Sequence, residues 1–232
     1  MPRFLILKLD GVMQGWGGHT YEDWRPTELF PTRSGLLGLL GACMGIDRQD
    51  EERLNALASS VLFTVQTECK RFQSDKKNLE LTSLRLCDYH TILESRKVNG
   101  KPNENPVQSY RWYLFDTPFT VAVEEAINAP IKLEEIAGAV HSPIYTPFLG
   151  RRSCPLSRPL LDPDEKPVEA KSAIDVLQNS DLGGSVIYSE SPELATEHKL
   201  RVRDVPLYGR IRRFTTREVF IHAVKEVSNV PE

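Results

Sequence analysis

The chain has 232 residues, enough for one large domain, or for one domain with a smaller appendage, to bury a core without metal or disulfide staples. Hydrophobic residues at 40% and charged residues at 26% exclude wholesale disorder. No apolar run approaches the ~20 residues of a membrane helix, and a net charge of −3 excludes whole-chain basicity as a nucleic-acid footprint, so any such site has to come from local clustering.

The first residues, Met-Pro-Arg-Phe-Leu-Ile-Leu-Lys-Leu-Asp, form a short apolar run without a cleavage pattern for export. They predict a buried strand over 3–10, with Phe4, Ile6 and Lys8 alternating against Leu5, Leu7 and Leu9. Residues 11–31 are rich in Gly and Pro and predict a loop. A helix is predicted over 33–46, with Thr32 as its cap, and a second over about 50–60, starting near Asp47 or Asp50. Val61, Phe63 and Val65 alternate as in a strand. Residues 73–115 predict either a long protruding hairpin whose polar tip covers 95–106 or a plain surface insertion. Thr117 to Ala126 predicts a strand, and Ile131 to His141 a helix with Leu133, Ile136, Ala137 and Val140 inward. This β-α-β-(insertion)-β-α order predicts an α+β, ferredoxin-like core. A Pro-rich stretch over 143–168, a short helix near 169–178 and strands near 185–190, 199–205 and 212–224 complete the chain.

Four segments carry candidate chemistry. Pro31-Thr32-Arg33-Ser34-Gly35-Leu36-Leu37-Gly38-Leu39-Leu40-Gly41 places three glycines at a spacing of three inside a helix, where each costs about 1 kcal/mol relative to Ala. Two readings account for them. Either Arg33, Ser34 and the helix N-terminus hold a phosphate, or the glycines form a close-packing seam. The loop Tyr145-Thr146-Pro147-Phe148-Leu149-Gly150-Arg151-Arg152-Ser153-Cys154-Pro155 offers an aromatic ring and paired arginines, suited to a base and its phosphates or simply to an exposed basic loop. Gln14 and Trp16 follow the first strand among glycines that permit close approach to a ligand, with Trp16 read as a core or interface residue ahead of a base-stacking one, and Tyr21, Trp24 and Arg25 nearby. Six arginines between 201 and 217 predict either a nucleic-acid face or a strand face paired with the acidic stretch from Glu190 to Glu197.

Enzymatic chemistry finds little purchase. The cysteines Cys43, Cys69, Cys87 and Cys154 have no metal-site spacing, and the five histidines form no metal motif. Asp88-Tyr89-His90-Thr91 holds acid/base groups, but consecutive residues of a strand point to opposite faces. No catalytic residue, metal or cofactor is therefore assigned.

Taken together, Leu9-x-Gly11-x-Met13-Gln14-x-Trp16-Gly17, the Pro31–Ala42 segment, Asp88-Tyr89-His90-Thr91 and Tyr145-Thr146-Pro-x-Leu149-Gly150-Arg151-Arg152-Ser153-Cys154-Pro155-Leu156 resemble the CasD group. These are the Cas-five-type RAMP subunits of type I-E CRISPR Cascade complexes. The resemblance runs in order through nearly the whole chain. It implies an RNA-recognition-like RAMP domain over 1–150, a protruding thumb over about 75–112, and a small β-rich C-terminal part over 151–232. It also implies a cytoplasmic, non-catalytic subunit of an antiviral ribonucleoprotein. Such a subunit holds the 5′ handle of the CRISPR RNA (crRNA), caps the Cas-seven-type backbone (CasC), adjoins the large subunit (CasA) and meets target DNA only within the complex. No membrane is implied. The RNA-binding set carried over is Gln14, Trp16, Arg25, Arg33, Ser34, Gly35, Tyr89, His90, Tyr110, Arg111, Tyr145, Arg151, Arg152 and Ser153. The rival reading is a metal-independent endoribonuclease that processes precursor crRNA, as relatives of another subtype do, with Tyr89 and His90 the pair to test.

Overall fold

A computed structural model describes residues 1–68, 70–74, 77–81, 84–97, 99–178, 185–191, 198–211 and 213–223. Strand β1 (Arg3–Leu9) opens the chain, and two short strands follow in the Gly-rich loop, β2 (Met13–Gln14) and β3 (Trp24–Arg25). Helix α1 (Arg33–Cys43) begins where Thr32 Oγ1 accepts a hydrogen bond from the Gly35 amide at 3.3 Å. Helix α2 (Glu51–Ser60) is capped by Asp50, which accepts from the Arg53 amide at 3.0 Å. Strand β4 (Val61–Glu68) returns to the sheet. The insertion comprises two antiparallel ribbons: β5 (Lys70–Ser74) with β6 (Lys77–Leu81), then β7 (Leu84–Ile92) with β8 (Val107–Phe115). Strand β9 (Phe119–Glu125), helix α3 (Leu133–His141), strand β10 (Val168–Glu169) and helix α4 (Ala173–Gln178) precede β11 (Ser185–Ser189), β12 (His198–Leu207) and β13 (Arg213–Ala223).

The main sheet has the order β10-β1-β9-β4-β11-β13-β12. Its first four strands arrange the fourth, first, third and second core strands side by side, which is the ferredoxin-like order expected from the β-α-β-β-α pattern. The alternation of β1 works on both faces. Leu5, Leu7 and Leu9 pack beneath α1 and α3 with Phe63, Val65, Val121 and Val123, while Phe4 packs on the opposite face with Ala122, Ile187 and Leu177 of α4. In α3, Leu133, Ile136, Ala137 and Val140 are buried at helical spacing, as the sequence requires.

Two differences from the sequence reading have physical causes. The β-rich C-terminal strands extend the main sheet instead of standing apart from residues 1–150: β11 pairs with β4, and Thr64 and Gln66 hydrogen-bond Ser189 and Ser185 across that seam at 3.1 and 2.9 Å. Cross-strand pairing of distant segments leaves no local signal in the sequence. Second, the loop over 11–31 contributes β2 and β3, which flank β8, antiparallel and parallel respectively, and so tie the hairpin to the body.

The cysteine environments predict a labelling result. Cys43 is buried, and burial pushes its thiol up to about 11. Burial likewise raises the buried Cys154 thiol, whereas Cys87 is exposed on β7. Because the thiolate is the reactive form, iodoacetamide at neutral pH is expected to alkylate Cys87 in the native protein and to reach Cys43 and Cys154 only in denaturant. Site-resolved mass spectrometry checks this, and native-state labelling of Cys43 would contradict the packing of α1.

Candidate nucleic-acid interface

On one face of β7 and β8, side chains at every second position share a side. Tyr89 and Tyr110 lie directly opposite each other in the ladder, and Trp24 of β3 lies beside Tyr110. The three rings form a row. Trp24 and Tyr110 are stacked with centroids 5.2 Å apart, and Tyr110 and Tyr89 are tilted at 5.3 Å. All three are open to solvent, with 51%, 39% and 49% of their surface exposed. Further along the same face, the Arg85 guanidinium lies over the Trp112 ring at 5.9 Å. An exposed row of large rings is costly unless something covers it, and its flat faces with a cation beside them suit unpaired bases.

The loop over 145–153 is a second candidate segment, and it meets β8 on the face opposite the ring row, where Arg151 lies over Tyr113. It is held to the C-terminal end of α1 by the Tyr145 amide, which donates to the Ala42 carbonyl at 3.1 Å. It is held to the β2 segment by the Gly15 amide, which donates to the Leu149 carbonyl at 3.0 Å. Gly150 has a φ of +80°, and a Cβ there would stand 2.1 Å from the Gly15 carbonyl oxygen, so only glycine allows this contact. Tyr145, Arg152 and Ser153 are exposed on the loop, with Tyr145 at 52%. Ser34 and Gly35 are half-buried on α1, and Gly38 is exposed with open space beside it.

Several of the expected contact residues lie inside the protein. Gln14 and Trp16 are fully buried: the Trp16 indole donates to Gln14 Oε1 at 3.0 Å, and Gln14 Nε2 donates to the Thr117 carbonyl at 2.8 Å. Gly35 packs against the Trp16 ring, where a Cβ would come within 2.8 Å of Cε3. These residues set the position of the loop instead of offering side chains to a ligand. Arg151 is half-buried over the Tyr113 ring at 4.6 Å and donates to the Arg25 carbonyl at 2.9 Å, bridging the loop to β3.

The phosphate reading of the α1 N-terminus is displaced by an internal carboxylate. The Arg33 amide donates to Asp204 Oδ2 at 2.7 Å, and Arg217 grips the same carboxylate with two bonds of 2.7 Å. The Arg33 side chain pairs with Glu190 and donates to the Ala58 and Val61 carbonyls at 2.7 and 3.2 Å, while Arg217 also reaches Glu190 at 3.2 Å. The positive end of the helix is thus neutralised by the chain's own β12. The sequence holds no local sign of this, because Asp204 follows Arg33 by 171 positions.

On the opposite face of β7 and β8, His90 lies across from Ser109, with Nε2 2.5 Å from the Asp88 carboxylate, and Arg111 lies across from Asp88 and beside Arg25 of β3. Tyr89 and His90 therefore do not converge on one substrate atom. Arg25 is half-buried, bonded through its side chain to the Glu22 and Trp24 carbonyls. Among the described residues, no three His, Cys, Asp or Glu side chains gather as metal ligands. Arg85 was not among the expected site residues, and Trp112 was named beside Tyr110 and Arg111 only as a thumb residue that would kink the RNA or contact a neighbour. The alternation of Tyr110 and Trp112 was the available signal, but which face of the ribbon looks outward was not readable from it.

Residues 4–220 match the family model described as CRISPR-associated protein (Cas_Cas5). The chain is 43% identical over 222 residues to the CRISPR system Cascade subunit CasD of Escherichia coli (strain K12), covering 95% of this chain and 96% of that protein. Among solved structures it resembles a chain of a CRISPR RNA-guided surveillance complex, with a TM-score of 0.72, 25% identity, and coverage of 96% of this chain and 90% of that one. It also resembles a structure described as a Cas protein, with a TM-score of 0.63, 23% identity, and coverage of 96% and 95%.

Proposed function

As the chain belongs to the CRISPR-associated Cas5 family, we propose that it is a crRNA-binding, non-catalytic subunit of a type I-E Cascade complex. It holds the 5′ handle through the aromatic row, with the exposed residues of the loop over 145–153 as further contacts. The observation that carries this reading is the exposed Trp24–Tyr110–Tyr89 row, assembled from three separate segments. Single-stranded RNA is read by stacking splayed bases on such rings and bonding their edges. Arg152 and Ser153, exposed on the loop over 145–153, supply a charge and a hydroxyl for the phosphates. In the assembled complex the subunit caps the CasC backbone and adjoins CasA, and target DNA is selected by guide pairing.

The division of Tyr89 and His90 between two faces supports binding over the endoribonuclease reading. Each stacked base is worth about 1–3 kcal/mol by alanine substitution. The double variant Trp24→Ala/Tyr110→Ala is therefore expected to bind labelled handle RNA at least about 10-fold more weakly. Because no cation is removed, its salt slope is expected to stay unchanged. The same samples on a denaturing gel are expected to hold intact RNA. Unchanged affinity would remove the ring row from the site, and a discrete cut abolished by His90→Ala would replace the binding role with a nuclease.

A further inference from the structure

Strand β12 is the outer edge of the main sheet, and its outward face is cationic. Lys199, Arg201 and Arg203 are all exposed and alternate with the buried Val202 and Asp204, so the three cations share the face turned away from α1. On β13, the residues of that same face are Phe214, Thr216, Glu218 and Phe220. Glu218 is the sole carboxylate that the described residues of these two strands place there, and it pairs with Lys199 at 2.8 Å.

The two arginines are prepared for an anion. Arg201 donates through Nε to Thr216 Oγ1 at 3.2 Å, and Arg203 through Nε to the Phe214 carbonyl at 3.1 Å. Each bond fixes the plane of a guanidinium while leaving its terminal N–H groups without a carboxylate among the described residues. A planar fork held in place with its outer donors open matches the oxygens of a phosphodiester. The acidic stretch named as a rival partner for these arginines resolves in part: Glu190 lies inside with Arg33 and Arg217, and residues 192–197 lie outside the described residues, as does Arg212.

We infer that the outward face of β12 and β13 is a second nucleic-acid surface, on which Arg201 and Arg203 grip the phosphodiester backbone of a strand other than the handle. Helix α1 packs on the inner side of β12 through the Arg33–Asp204 contact, so the sheet itself separates this face from the α1 side. A nucleic acid is favoured over an acidic protein because the centre of the face is guanidinium. The apolar groups flank the guanidinium pair and do not centre the face: half-buried Phe220 lies opposite Lys199, half-buried Phe214 opposite Pro206, and exposed Leu207 and Ile211 lie at the far turn.

The test uses the full chain and the variant Arg201→Gln/Arg203→Gln, whose side chains are exposed. Three labelled probes of random sequence, single-stranded RNA, single-stranded DNA and duplex DNA, are titrated over a range of salt beside handle RNA. Loss of two phosphate contacts is expected to weaken binding of at least one random probe about 10-fold at low salt and to lower its salt slope by about two. Handle affinity is expected to stay unchanged, and the probe most affected identifies the strand. Unchanged affinity and slope for all three probes would overturn the inference. Equal loss for handle RNA would also overturn it, by merging this face with the handle site. Loss of association with other Cascade subunits at unchanged nucleic-acid affinity would assign the face to an acidic protein instead.

Discussion

Asp204→Ala is expected to destabilise the protein by roughly 3–5 kcal/mol, the usual cost of removing one partner from a buried ionic cluster. Asp204 is only 2% exposed and satisfies three donors at once: the Arg33 amide at the start of α1 and two groups of Arg217. Its loss leaves the half-buried Arg217 with Glu190 alone and returns an unpaired amide to the positive end of α1. For a chain of this size, each 1 kcal/mol moves the melting temperature by roughly 2–4 °C, so a fall of about 10 °C is expected in thermal unfolding followed by circular dichroism. Asp204→Asn retains an acceptor for the Arg33 amide and is expected to lose less. A melting temperature within about 2 °C of wild type for the alanine variant would mean that the cluster does not hold β12 to α1. Arg33→Ala belongs to the same class: its effect is expected on stability, whereas Arg152→Ala is expected to lower the salt slope of RNA binding without changing the melting temperature.

The second large effect is expected at Gly150. A side chain there meets two penalties, the left-handed backbone and a 2.1 Å approach to the Gly15 carbonyl oxygen. The backbone alone costs on the order of 1 kcal/mol, but the overlap cannot be relieved by turning a side chain, because the obstructing atom belongs to the backbone. Gly150→Ala is therefore expected to push the loop over 145–153 off the β2 segment, to lose well over 2 kcal/mol in denaturant unfolding and to weaken handle RNA binding at least about 10-fold, as displacement of the proposed phosphate contacts Arg152 and Ser153 requires. Gly100 supplies the control. It has a φ of +79° in the hairpin tip with nothing near its Cβ position. Gly100→Ala is expected to cost only the backbone contribution, about 1 kcal/mol. Equal losses for the two variants would show that the contact between the loop and Gly15 is unimportant.

These two residues mark where the sequence is informative and where it is silent. Gly150 was visible within a motif that resembles a family, but its partner Gly15 was not, because their contact is a backbone approach between distant segments. Arg33 was visible as a cation at a helix start. A free phosphate and an internal carboxylate make the same demand on that position, so only the fold could show that Asp204 fills it. Tyr89 and Tyr110 were identified through the resemblance, while Trp24 was noted only as a surface aromatic near the first loop. Their stacking depends on the parallel pairing of β3 with β8, a two-residue contact with no periodicity to announce it.

The sequence by itself determined the elements that rest on local rules. Helical spacing set α1 and α2, with Thr32 read as the cap of the first, while the choice of Asp50 over Asp47 at the start of the second came from the structure. Alternation set β1, β4 and β9, and the β-α-β-β-α order set the ferredoxin-like arrangement of the first four sheet strands. Tertiary structure alone decided which charges face inward and which rings face outward. It joined the C-terminal strands to the main sheet, turned Asp204 and Arg217 towards α1, and left Arg201 and Arg203 on the outer side of the same edge. The physical reason is that burial of a polar residue depends on finding a partner across the fold, and that partner lies up to 171 positions away, beyond the reach of any local pattern.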